Sequence, residues 1–210
     1  MASTPKARPA GIRDEVAALK RARTIEAAVE LFYEHGYENT TLDAVAERMG
    51  VTKPFIYAHF SSKTELLAEI CSRAITSSLE AIDSVIPLKS SPTDKMRLLG
   101  QRFVTAVLTS QMHMAIFSRE EKNLNPADWE RINDMRRDFD RKLTGLINDG
   151  ITSGEFKLHD ARMAALAIGG MVSWAYVWYR PERRLTLENV SEELSAMILQ
   201  MVTGAPQPVA

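Results

Sequence analysis

Apolar residues recur at intervals of three and four along most of the chain, and the runs are punctuated by Gly36, Gly50, Pro87, Pro92, Pro126, Gly150, Gly154, Pro181 and Gly204. This is the periodicity of amphipathic helices, and no convincing period-two run predicts a strand. A first helix is expected from about Asp14 to His35, with Ile25, Ala28, Val29 and Phe32 on one face and Gly36 as its stop. Two short helices follow. One covers Leu42 to Met49, capped by Thr40 or Thr41 and ended by Gly50; the other starts after Thr52, tolerates Pro54 in its first turn and ends near His59. Ser62 and Glu65, at capping-box spacing, open a fourth helix that continues toward Pro87. Ser91, Pro92 and Asp94 then start a helix carrying Met96, Leu99, Phe103 and Val107, a shorter helix covers Met112 to Leu124, and a long one runs from Pro126 to Gly150. The last two span Asp160 to just before Pro181 and about Leu187 to Thr203. The expected fold is all-α, about nine helices, with a three-helix N-terminal part and a larger C-terminal one.

With 210 residues and 45% hydrophobic content the chain can bury a sizeable core. Its most apolar stretch, Met163 to Val172, is broken by Gly169 and Gly170 and is far short of the ~20 residues that a membrane span needs, so no membrane association is expected. The segment from Ala2 to Arg13 is small, polar and basic, with no apolar stretch behind it, and reads as a flexible arm of a cytoplasmic protein. Residues 204–210, with two prolines, read as a loose tail. The single cysteine, Cys71, has no partner for a disulfide or a thiolate metal site and reads as an ordinary buried helix residue; neither metal nor cofactor is expected. Net charge is −1, but from Lys6 to Arg23 six bases face two acids, and from Val51 to Thr64 there is no acid at all. Both stretches suit a phosphate-facing surface.

Ala46 and Gly50, four apart and surrounded by Val45, Met49, Val51 and Ile56, fit two short helices meeting at a tight turn, a helix-turn-helix. An exposed, acid-poor second helix of this length can enter the major groove of double-stranded DNA with its N-terminal side chains against base edges. Spacing alone leaves the matter open, because two short helices joined by glycine also occur in proteins that never touch DNA. Thr41 sits at a helix N-terminus with amides suited to a phosphate. Thr52, Lys53 and Phe55 are the candidates for base contacts, Phe55 against a thymine methyl.

The run from Thr24 to Leu67 resembles the DNA-binding domain of the TetR family almost position for position, including Ala27, Ala28, Phe32, Gly36, Thr40, Thr41, Ala46, Gly50, Tyr57, Phe60, Lys63 and Leu66. The resemblance implies a transcriptional repressor that binds a palindromic operator. It further implies a DNA-binding domain over 14–67, a regulatory domain over 68–203 joined to it by the fourth helix, and phosphate clamping by Tyr57, His59 and Lys63. For Tyr57 a packed aromatic with a satisfied hydroxyl remains an alternative, and Phe60 reads as core. Arg21 and Arg23 are candidates for a neighbouring groove or for plain solvation. Pro54 stands where the family often has a small residue.

The resemblance also implies a homodimer through the last two long helices, and Ala164, Ala165, Ala167, Gly169 and Gly170 would permit close approach of a partner helix. The segments Asp149 to Phe156 and Trp174 to Pro181 resemble a branch of the family that answers to acyl-CoA thioesters. That likeness implies an apolar effector site lined by Phe103, Val107, Met114, Phe117, Phe139, Trp174 and Trp178, with surface bases on the CoA phosphates; aromatic core or interface is the other reading of the two tryptophans. A regulator of an efflux or stress gene with a drug-like ligand is the nearest alternative. A helical enzyme is disfavoured, since no GxSxG, HExxH or phosphate-binding Gly loop is present, and a helical adaptor would leave the acid-free stretch unexplained.

Overall fold

The structure, a computed structural model, describes residues 11–181 and 184–204; residues 1–10 of the expected arm and 205–210 of the expected tail lie outside it. The chain divides into two compact units, Met1–Leu67 and Ala68–Ala210. Among the described residues all regular structure is helical, and no helix is long and apolar enough to cross a membrane.

In the first unit, α1 (Ile12–His35), α2 (Leu42–Met49) and α3 (Lys53–Tyr57) enclose a core of Ile25, Ala28, Val45, Ile56 and Phe60, joined by Leu66 and Leu67 from the start of α4 (Lys63–Asp83). Thr40 is buried, and its hydroxyl donates to the Gly36 carbonyl at 2.9 Å, closing the loop after α1. Thr41 caps α2, its hydroxyl accepting the Ala44 N–H at 3.1 Å. Gly50 ends α2 in the left-handed region at φ 64°, which turns the chain into α3 within two residues. The cap of α4 differs by one residue from the expected pairing. Ser62 accepts the Glu65 N–H at 3.0 Å, but the Glu65 carboxylate accepts the N–H and hydroxyl of Ser61 at 2.8 and 2.7 Å.

The second unit contains the rest of α4, then α5 (Pro92–Thr109), α6 (Gln111–Glu120) with a 3-10 turn at Glu121–Asn123, α7 (Pro126–Thr152), α8 (Ala161–Ser173), α9 (Ala175–Trp178) and α10 (Leu187–Thr203). The packing of α5 on α10 is close because Gly100 has no side chain. A Cβ there would lie 2.6 Å from Ser195 Oγ, and Ser195 and Ser191 donate to the Arg97 and Gln101 carbonyls at 2.9 and 3.0 Å. Gly150, expected to end α7, lies inside it. The Phe156 ring occupies the space a Cβ would fill, at 2.1 Å, and the left-handed turn falls to Gly154 at φ 78°. The continuous helix expected from Asp160 to Pro181 is broken at Trp174 into α8 and the four-residue α9. Two glycines weaken the turn before the break, and the Gln111 amide donates to the Tyr176 and Tyr179 carbonyls at 2.7 and 2.9 Å.

Candidate functional site

The second helix of the helix-turn-helix presents its N-terminal end outward. Thr52 caps α3 by position but makes no capping bond, so its exposed hydroxyl is uncommitted. Lys53 is exposed and its ammonium is held by Asp43 of α2 at 2.5 Å, which raises its pKa from the ordinary lysine value through that hydrogen bond. Phe55 is half-buried, edge-on to His59 at 5.3 Å, with the Lys20 ammonium 5.4 Å from its ring. Tyr57 is 54% exposed, so the packed-aromatic alternative does not describe it, and Phe60 is fully buried.

Two bases are anchored inside the unit. Lys63 donates to the Tyr37 and Glu38 carbonyls at 2.9 and 3.3 Å and lies 4.2 Å over the Tyr37 ring, tying the loop before α2 to the start of α4. One of its three donors is left for a phosphate. Arg21 donates to the His59 carbonyl at 2.6 Å and lies 4.1 Å over the Phe60 ring, so it braces the end of α3 and does not extend outward. Arg23 is exposed. With Lys20, one turn earlier on α1, it lines a groove that also includes Glu26, Glu30, Arg48, Val51 and Phe55. The sequence shows Lys20 as one of several bases without a role of its own; its spacing of three from Arg23 on a helix is the signal that places the two together.

In the second unit a cavity of about 290 Å³ lies between α4, α5, α6, α7 and α8. Of the residues proposed for an effector site, Phe103, Met114 and Phe139 line it, the two phenylalanine rings 4.6 Å apart. Val107 and Phe117 are buried but away from its wall. Trp174 and Trp178, at 62% and 44% exposure, are not in it, because the break after Ser173 turns both rings outward. In their place stand Ile75 and Ser78 of α4 and Leu166, Gly169 and Gly170 of α8. At the rim, burial raises the Asp140 carboxyl above its ordinary pKa, and the nearby Arg136 and Arg162 oppose that rise. Asp140 and Leu166 are shared with an adjoining groove that Arg137, Arg141 and Arg162 line. Cys71 is buried, which pushes its thiol up to about 12 and leaves it without nucleophilic character.

The helix-turn-helix and the helical second unit define a two-part transcriptional regulator. Residues 25–70 match the family described as bacterial regulatory proteins of the tetR family, and residues 89–202 match the tetracyclin repressor-like C-terminal domain. The chain belongs to the TetR family. The fatty acid metabolism regulator protein of Bacillus subtilis (strain 168) is 25% identical over 183 residues, covering 86% of this chain and 94% of its own length. A TetR/AcrR-family regulator from Thermobifida fusca is 30% identical, with a TM-score of 0.70 and coverage of 86% of this chain and 96% of its own. The structure of AibR in complex with isovaleryl coenzyme A and operator DNA has a TM-score of 0.73 at 22% identity, covering 88% of this chain and 98% of that one. The relatives are transcriptional regulators, not enzymes.

Proposed function

We propose that this chain is a repressor that binds a palindromic operator as a dimer and is released by a small hydrophobic effector, an acyl-CoA thioester. The observation that carries the DNA reading is the outward N-terminal end of α3. There an uncommitted Thr52 hydroxyl, Lys53 and Phe55 stand in a stretch without acids, and Thr41 and Tyr57 are exposed beside it. Thr52, Lys53 and Phe55 read bases; Thr41, Tyr57, His59 and the remaining donor of Lys63 hold phosphate, with Lys20 and Arg23 adding charge. Such a reader of chromosomal DNA works in the cytoplasm.

Exposed apolar side chains on the last long helices, Met163 at 63% and Met197 at 51%, support dimerisation through α8 and α10. The effector reading rests on the cavity with its apolar side of Ile75, Phe103, Met114 and Phe139 and on the arginine-lined groove beside it, which suit an acyl chain joined to a polyanionic carrier, and on AibR, a fold neighbour whose structure holds an acyl-CoA. A ligand changes DNA affinity only by binding the two conformations differently, so the thioester must favour the DNA-incompetent one.

A gel shift of the full chain with the DNA flanking its own coding region tests the contacts. Thr52→Ala and Tyr57→Ala are expected to weaken specific binding by about 1–3 kcal/mol each. Binding of both variants at the parent's affinity would refute the assignment. Thermal shift against CoA thioesters, free acids and drug-like compounds tests the effector, and stabilisation by drug-like compounds alone would favour the efflux-type alternative.

A further inference from the structure

Five serine and threonine side chains are buried in the described structure, and four of them donate to backbone carbonyls: Thr24 to Lys20, Thr40 to Gly36, Ser191 to Gln101 and Ser195 to Arg97. Ser78, 8% exposed, makes no hydrogen bond among the described residues, although its neighbours on α4, Thr76 and Ser77, both fold back onto the carbonyl four residues earlier. No sealed polar atom in the described residues lacks a partner, so the Ser78 oxygen opens onto free space, and the space it lines is the cavity. Ile75, Phe103, Met114 and Phe139 give the cavity its apolar side, and Arg136, Asp140 and Ser173 also line it. The Ser78 hydroxyl, without a partner among the described residues, lacks one that a ligand can bring.

The size of the cavity limits that ligand. At about 290 Å³ it stands at the small end of ligand pockets. Resting on the effector reading above, we infer that the cavity takes a short acyl group bearing an oxygen on its chain, a hydroxyl or a ketone, and that Ser78 is the residue that selects for it. The Ser78 hydroxyl donates to a ketone or exchanges a hydrogen bond with a hydroxyl. A plain acyl chain of the same length leaves it unpaired, and a long chain does not fit.

Calorimetric titration of the full chain tests this with hexanoyl-CoA, its 3-hydroxy and 3-oxo forms and palmitoyl-CoA, and with the methyl esters of the same three six-carbon acids. In each six-carbon set an oxygenated ligand is expected to bind about three- to tenfold tighter than the plain one. Ser78→Ala should bring the oxygenated and plain ligands to equal affinity, and Ser78→Thr should keep the preference. Equal affinities in the parent, a preference that survives Ser78→Ala, or tighter binding of palmitoyl-CoA would overturn the inference. If the esters show the Ser78-dependent preference and no thioester binds, the inference stands and the CoA reading falls. If the thioesters bind without any preference for oxygen, the CoA reading stands and the inference falls, and no binding by either set refutes both.

Discussion

Lys63 and Tyr57 stand close in sequence and both are assigned to phosphate, yet their surroundings differ. Lys63 is engaged with two carbonyls and the Tyr37 ring, whereas Tyr57 is exposed. Lys63→Ala should therefore lower both operator affinity and the melting temperature, the latter by the equivalent of about 1 kcal/mol. Tyr57→Ala should lower affinity and leave melting unchanged, which calorimetry on the free protein checks. Gly50→Ala isolates a backbone effect: nothing lies within 4 Å of the added methyl, so the cost is the left-handed conformation alone, about 1 kcal/mol. Residue types at turns are legible in the sequence because Thr41 and Gly50 act through local geometry. Gly150 has the sequence context of a helix stop and is not one. Its true reason, the Phe156 ring against its backbone, depends on packing that a local pattern does not contain.

Among the elements, α2 and α10 have the bounds that their caps and periodicity predict, whereas the helix leading to Pro181 does not. It is broken at Trp174; Gln111, more than sixty residues away in sequence, donates to two carbonyls beyond the break, and Trp174 and Trp178 lie off the cavity. The aromatic spacing is visible in the sequence; the break that separates the two tryptophans from the cavity is not. On α6, burial lowers the His113 pKa, with Arg73 adding to the effect. A depressed histidine is neutral in the fold and takes up its proton more readily when unfolded. Its contribution to stability is thus complete above the ordinary histidine range and is lost as pH falls through that range toward the lowered value. Relative to the parent, His113→Gln should gain melting temperature between pH 7 and pH 5, seen by scanning both proteins across that interval.

For the whole molecule, a single chain leaves α8 and α10 with apolar side chains in water, and Gly169 and Gly170 have no neighbour within 4 Å of where a Cβ would stand. The double substitution Met163→Glu, Met197→Glu is expected to give a folded monomer by light scattering and, because a palindrome is read by two copies, to lose specific operator binding. Unchanged dimer mass would place the interface elsewhere. The division into a DNA-reading part and a helical regulatory part is recognisable from one run, Thr24 to Leu67, because the turn chemistry there is local. The cavity proposed for the effector is half legible: Phe103, Met114 and Phe139 announce themselves as apolar helix positions, but Ser78 and Asp140 come to it only where five helices meet.

The most direct measurement is fluorescence anisotropy of the full chain on labelled DNA flanking its own coding region, against a scrambled duplex of equal length and composition. Operator recognition through α3 predicts saturable binding to the flanking fragment, at least about a thousandfold tighter than to the scrambled one at physiological salt, weakened by Thr52→Ala. Equal affinity for the two duplexes would contradict it.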